Sequence, residues 1–158
     1  MTDSSMFDPN SFLDAETTVA FSKRPPIPAS TELLGVIGEP KVLAFPGQKD
    51  PTKKYYKINI PIQLDLTSVP EVQKQLQTDT ITLIDSQWLD IDEDTQKLDE
   101  RAGRNRGLFK YREATGLNED GVAFNPRMLQ GRTVKVTIGQ REGRDGETMD
   151  TIASVGKP

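Results

Sequence analysis

Two kinds of side chain in this sequence could do chemistry: a run of acids at 90–94, and several mixtures of cations with aromatic rings. Asp90, Asp92 and Asp94 have the opening spacing of a calcium loop. That loop needs Gly at its sixth position for a sharp turn and a bidentate acid at its twelfth, and here Thr95 and Arg101 stand there. A two-metal nuclease draws carboxylates from separate elements onto one point, whereas neighbouring acids in one run read as a solvated loop. No Gly-rich loop ends in Gly-Lys-Ser/Thr, and there is no Gly-x-Ser-x-Gly elbow. With no His and no Cys in 158 residues, the usual zinc, iron–sulfur, disulfide, Cys-nucleophile and His-relay sites have nothing to build on. No catalytic residue, metal ligand or cofactor is expected.

The cation–aromatic mixtures point elsewhere. A single nucleic-acid strand is held by cations along its phosphates and by ring faces that stack on its bases, each stacked base contributing ~1–3 kcal/mol. Lys53, Lys54, Tyr55 and Lys57 form one such group, and Trp88 is a second ring with the parity of an outward strand residue. Arg104, Arg106, Lys110 and Arg112, interleaved with Phe109 and Tyr111, form another. Lys135 falls on the polar side of an alternating stretch, and Arg141 and Arg144 sit in a Gly-rich hairpin tip. Taken singly, each has a plain reading: Tyr56 and Tyr111 pack, and helix cations solvate a surface. Together they describe a strand-gripping surface.

The net charge of −4 argues against a polyanion partner only if charge is spread evenly. It is not. Segment 1–22 carries Asp3, Asp8, Asp14 and Glu16 with no Lys or Arg, and 85–100 carries seven acids against Lys97. Segments 41–57, 101–113 and 127–144 each hold five cations against one acid. A basic face on an acidic molecule fits that pattern.

These residues need a scaffold, and the sequence reads as mainly β. Residues 1–31 read as an extended arm, acidic and then Pro-rich, with Phe7, Phe12, Leu13, Val19, Phe21 and Ile27 as its large anchors and a helical turn at 11–16. The domain proper is expected at 32–158. Stretch 32–45 is β-rich but broken by Gly35, Gly38 and Pro40, as in a bent strand. Tyr56, Ile58, Ile60, Ile62, Leu64 and Leu66 alternate with polar residues, a half-buried strand whose Pro61 predicts an edge or bulge. A short helix is expected in 68–78 and a strand in 80–91, bulged at Ile84. A helix follows in 104–115, stopped by Gly116, and then strands in 133–138 and 147–155. Three strands, a helix and two strands is the order of a five-stranded oligonucleotide-binding (OB) barrel with its helix between strands three and four.

The sequence also resembles a bacteriophage family. FDPNSFL at 7–13, PIPA at 26–29, RNRGLFKYREATG at 104–116 and MLQGRTVKV at 128–136 before a basic hairpin are similar to phage single-stranded-DNA-binding proteins with an OB barrel, a family long known only as a domain of unknown function. The family's Pro-x-Pro-Ala-Gly-Glu-Tyr stretch is here PIPASTE at 26–32, and the acidic tail common among single-strand binders is missing. The resemblance implies sequence-independent coating of single-stranded DNA in phage replication and recombination, within the host cytoplasm.

Phage or host replication proteins are then expected partners of acidic segment 1–22 or 85–100, one of which could instead fold over the basic groove until DNA displaces it. Self-association stays open. No apolar run approaches ~20 residues and residues 1–10 lack a signal-peptide pattern, so no membrane is expected. A rival reading is a virion or assembly component whose arm latches onto neighbouring subunits. A weaker one is a metal-dependent nuclease built on Asp90, Asp92 and Asp94.

Overall fold

The computed structural model of the chain describes residues 7–20 and 24–158, so Asp3 and Phe21 lie outside the described residues. After a short helix α1 (Pro9–Asp14), the chain runs into β1 (Glu32–Ile37) and β2 (Lys41–Pro46), the two halves of one bent run interrupted at 38–40. β3 (Lys54–Asp65) is the spine of the sheet. Its alternation buries Ile58, Ile60, Ile62 and Leu64 completely, with Leu66 just beyond its end. One side of β3 pairs antiparallel with β4 (Thr80–Leu89), from Tyr56–Leu89 to Asp65–Thr80. Its other side pairs first with β2 and then with β1. β1 continues the sheet into β7 (Thr133–Glu142), which turns back into β8 (Thr148–Gly156). A register shift at Thr137/Ile138 bends that last pair. A small separate hairpin joins β5 (Ile91–Asp92) to β6 (Lys97–Leu98).

The fold is thus mainly β and antiparallel, as the sequence predicts, but the sheet is not closed. The pairings make β4 and β8 run in the same direction at the two open ends of the sheet. They approach one another, yet among the described residues no ladder joins them. The helix α3 (Arg106–Ala114) touches both and buries Leu108, Tyr111 and Ala114 against the core. A second helix, α2 (Pro70–Leu76), links β3 to β4 and buries Val72.

Three expectations need correction. β3 is no edge, because it has partners on both sides. Pro61 is tolerated there because it faces the break between β1 and β2: its carbonyl accepts from the Gly38 N–H at 2.8 Å. A residue's N–H and C=O point to the same side of an antiparallel strand, so the missing donor falls where no strand partner is in register. β4 has no bulge at Ile84, since its register with β3 is unbroken and Ile84 is simply exposed on the outer face.

The third correction concerns the arm. Phe7, Phe12, Leu13 and Val19 anchor nothing; all are exposed, and α1 buries no residue. Ile27 is the anchor, completely buried, with its N–H on Asp150 Oδ1 (2.9 Å) and its carbonyl held by Gln140 Nε2 (2.7 Å). Arg24 forms an ion pair with the buried Asp150 carboxylate. Ser30 and Thr31 exchange backbone hydrogen bonds with Ile138, both 2.8 Å. The packed body therefore begins near residue 24. Ser30 makes the turn at φ +67°, a left-handed conformation that glycine adopts without strain.

Candidate nucleic-acid interface

Side chains at odd positions of β3 point outward because the even ones fill the core, and pairing carries that parity into the strands on either side. Three rungs result. Phe45 on β2 lies opposite Tyr55 on β3. Leu43, Lys57 and Trp88 form the next rung across β2, β3 and β4, and Lys41, Asn59 and Ser86 the third. Trp88 is 57% exposed, Tyr55 51% and Phe45 39%.

The rings and the cation are in contact. Lys57 Nζ lies 4.3 Å from the centroid of the Trp88 ring, a cation–π distance. Phe45 meets Trp88 edge-on, with centroids 6.1 Å apart and ring planes at 68°. Below them Ser86 Oγ donates to Asn59 Oδ1 at 2.5 Å, fixing the polar rung. The 47–53 loop beside this face is closed by Asp50, which accepts from Thr52 Oγ1 (2.6 Å) and holds its carboxyl below the usual range through those bonds. Gly47 is buried in that loop, and a Cβ on it would sit 3.0 Å from the Tyr55 ring, so the backbone packs directly against the tyrosine.

Of the residues singled out in the sequence, Tyr55, Lys57 and Trp88 come together on this face, with Lys53 and Lys54 exposed where the loop enters β3. Phe45, Leu43 and Lys41 were missed. The sequence carries no signal for them, because 42–45 is an unbroken apolar run, and only the pairing of β2 with β3 assigns its faces.

The other cations lie elsewhere. α3 meets β4 on its core side, where Tyr111 Oη donates to Asp85 Oδ2 at 2.6 Å, whereas Trp88 projects from the opposite side. Arg106 and Lys110 are exposed on that helix. Arg112 is tied down, donating to the carbonyl of Leu117 at 2.9 Å and stacking on Phe124 at 4.8 Å. Arg104 stands 3.8 Å from Asp99 and 4.0 Å from Asp90. Lys135 faces Glu32 at 3.9 Å. Arg141, opposite Met149, and Arg144 extend the β7–β8 hairpin past the Glu32 end of β1, the end away from Phe45.

The acidic run turns out to be architecture. Asn105, in a left-handed conformation and buried, bonds through its side chain to the N–H of Asp90 and the carbonyls of Asp90 and Asp99. Asp92 caps its own turn by accepting from the N–H of Asp94. Asp99 receives Arg101 through both carboxylate oxygens, and these hydrogen bonds pull its pKa down to about 2. Among the described residues no three acids gather as a metal site.

Comparison with family models and with curated proteins returns no match.

Proposed function

We propose that the chain binds single-stranded DNA without sequence preference through the outer face of β2, β3 and β4, and that it is a binding protein and not an enzyme. The observation that carries this reading is the exposed set Phe45, Tyr55 and Trp88 around Lys57 on one sheet face. Rings presented on a rigid sheet offer faces to unstacked bases, which a single strand has and a duplex does not. Lys41, Lys53 and Lys57 supply the phosphate contacts. Three such contacts give a log–log salt slope of about −2, from roughly −0.7 per phosphate.

The strand order supports an OB-like barrel left unsealed between β4 and β8. Counting β1 and β2 as one bent strand leaves five main strands, with α3 between the third and fourth and the aromatic face on the first three. With the phage-family resemblance, the role proposed for it is coating single strands in phage DNA replication or recombination, in the host cytoplasm. Among the described residues no helix is long and apolar enough to cross a membrane.

The test is a titration of labelled oligo-dT at several salt concentrations, with and without magnesium, on the full chain and on Trp88→Ala. Salt-sensitive binding without cleavage, weakened in the variant, is expected. Absence of binding at low salt defeats the proposal and leaves the structural reading, whose support is the exposed Phe12 and Leu13 of α1. Cleavage with magnesium defeats the non-enzyme claim.

A further inference from the structure

Among the described residues β2 pairs with β3 alone, and all six of its residues are exposed. Val42 and Ala44 have the parity that faces the core elsewhere in the sheet, yet Val42 is 55% exposed. The Gly47 N–H donates to the Lys53 carbonyl at 2.8 Å, which turns the N–H and C=O of odd positions toward β3 and those of even positions toward the free edge. The free donors of that edge are then Val42 and Ala44, since Pro46 has none. Folded proteins blunt such an edge with charge, proline, a bulge or a covering element. α3 lies against β4 and β8, the other two edge strands. The stretch 42–45 of β2 is Val-Leu-Ala-Phe, with prolines only outside it, at 40 and 46.

We propose that this edge pairs antiparallel with the same edge of a second copy of the chain, about a two-fold axis at Leu43. The pairing is self-complementary, as a two-fold interface must be. Val42 of each copy lies opposite Ala44 of the other, and these two pairs exchange the N–H···O=C bonds that the edge offers. Between them Leu43 meets its own mate on the outer face. Lys41, the only charge in the strand, meets not its like but Phe45 of the second copy, a cation–ring pairing of the kind Lys57 makes with Trp88. On the inner side Val42 and Ala44 of both copies cover one another, where a single copy leaves them exposed. The product is one six-stranded sheet with both outer faces on the same side. Its two Trp88 residues stand in one row, five strand spacings or about 24 Å apart. So short an edge buries less than the roughly 1,200 Å² of a tight interface, so the dimer is expected in the micromolar range. It needs no DNA to form.

The experiment is sedimentation equilibrium of the full chain without DNA, from micromolar to submillimolar protein. The mass should rise from one chain toward two and stop there. Leu43→Lys and Leu43→Glu each set like charges face to face on the axis, at an exposed position outside the core. Each alone should weaken association about tenfold or more, and an equimolar mixture of the two should restore it. Ala44→Pro removes an N–H that points away from β3, so it should weaken association by a similar factor with an unchanged circular dichroism spectrum. The mass of one chain at every concentration overturns the proposal, and growth past two chains overturns the closed two-fold. A Leu43→Lys protein that associates as the wild type does, or a mixture no tighter than its components, overturns it as well, because the axis then lies elsewhere.

Discussion

Replacing Tyr111 by Phe tests the seam at which α3 meets β4. The Tyr111 phenol is buried and donates to Asp85 Oδ2 at 2.6 Å, and the Gln87 amide donates to the same carboxylate at 3.0–3.1 Å. A hydrogen bond to a charged group contributes about 1.5–3 kcal/mol, so Tyr111→Phe is expected to lose about that much at pH 8. Its pH dependence has a definite sign. Burial first, and then the Asp85 charge and hydrogen bond, push the Tyr111 pKa well above its ordinary 10. The stability tied to the protonated phenol is therefore fully present below pH 10 and is lost as pH rises above it, because the unfolded chain sheds the proton first. By pH 11 the wild type has lost about 1.4 kcal/mol from this group alone, and Tyr111→Phe loses none of it. Urea unfolding of both proteins at pH 8 and pH 11, followed by far-UV circular dichroism, should show the gap between them narrowing by that amount. A gap unchanged with pH would refute the reasoning.

Other perturbations follow from particular contacts. Ile27→Ala should cost about 2–5 kcal/mol in urea unfolding, as for a fully buried aliphatic side chain; a cost under 1 kcal/mol would return residues 24–31 to an unpacked arm. Ser30→Gly should stabilise by about 0.5–1 kcal/mol by relieving the positive φ, and a loss of stability would show that the turn is not left-handed in solution. Asp99, held near pKa 2 by Arg101, contributes stability that is present above about pH 4 and lost as pH falls towards 2. Acid unfolding of Asp99→Asn should accordingly be shallower than that of the wild type across this window, and identical curves would dismiss the ion pair.

Much of the scaffold was legible because one periodicity governs it. The even-numbered apolar residues from Ile58 to Leu66 fix which side of β3 is core, and with it the outward parity of Tyr55, Lys57 and, through the ladder, Trp88. What depended on long-range partners was not. Pro61 looked like an edge because nothing local announces that the neighbouring strand breaks opposite it. Ile84 looked like a bulge because an exposed isoleucine on an outer face violates the pattern without altering the register. Ile27, in a Pro-rich stretch, gave no sign that Asp150 and Gln140, more than a hundred residues away, would receive its backbone. Charge is the least local property. Arg104 and Arg112 read as free cations, yet one stands near Asp90 and Asp99 and the other holds the loop after α3.

The central claim is that bases stack on the β2–β3–β4 face, and Trp88 reports on it without any label. Titration of the full chain with unlabelled oligo-dT should quench Trp88 emission to saturation at low salt, with the midpoint shifting to higher DNA concentration as salt is added. Emission that stays constant while DNA binds by another readout would contradict it, since the strand would then run along the cations of α3 or the β7–β8 hairpin and not across this face.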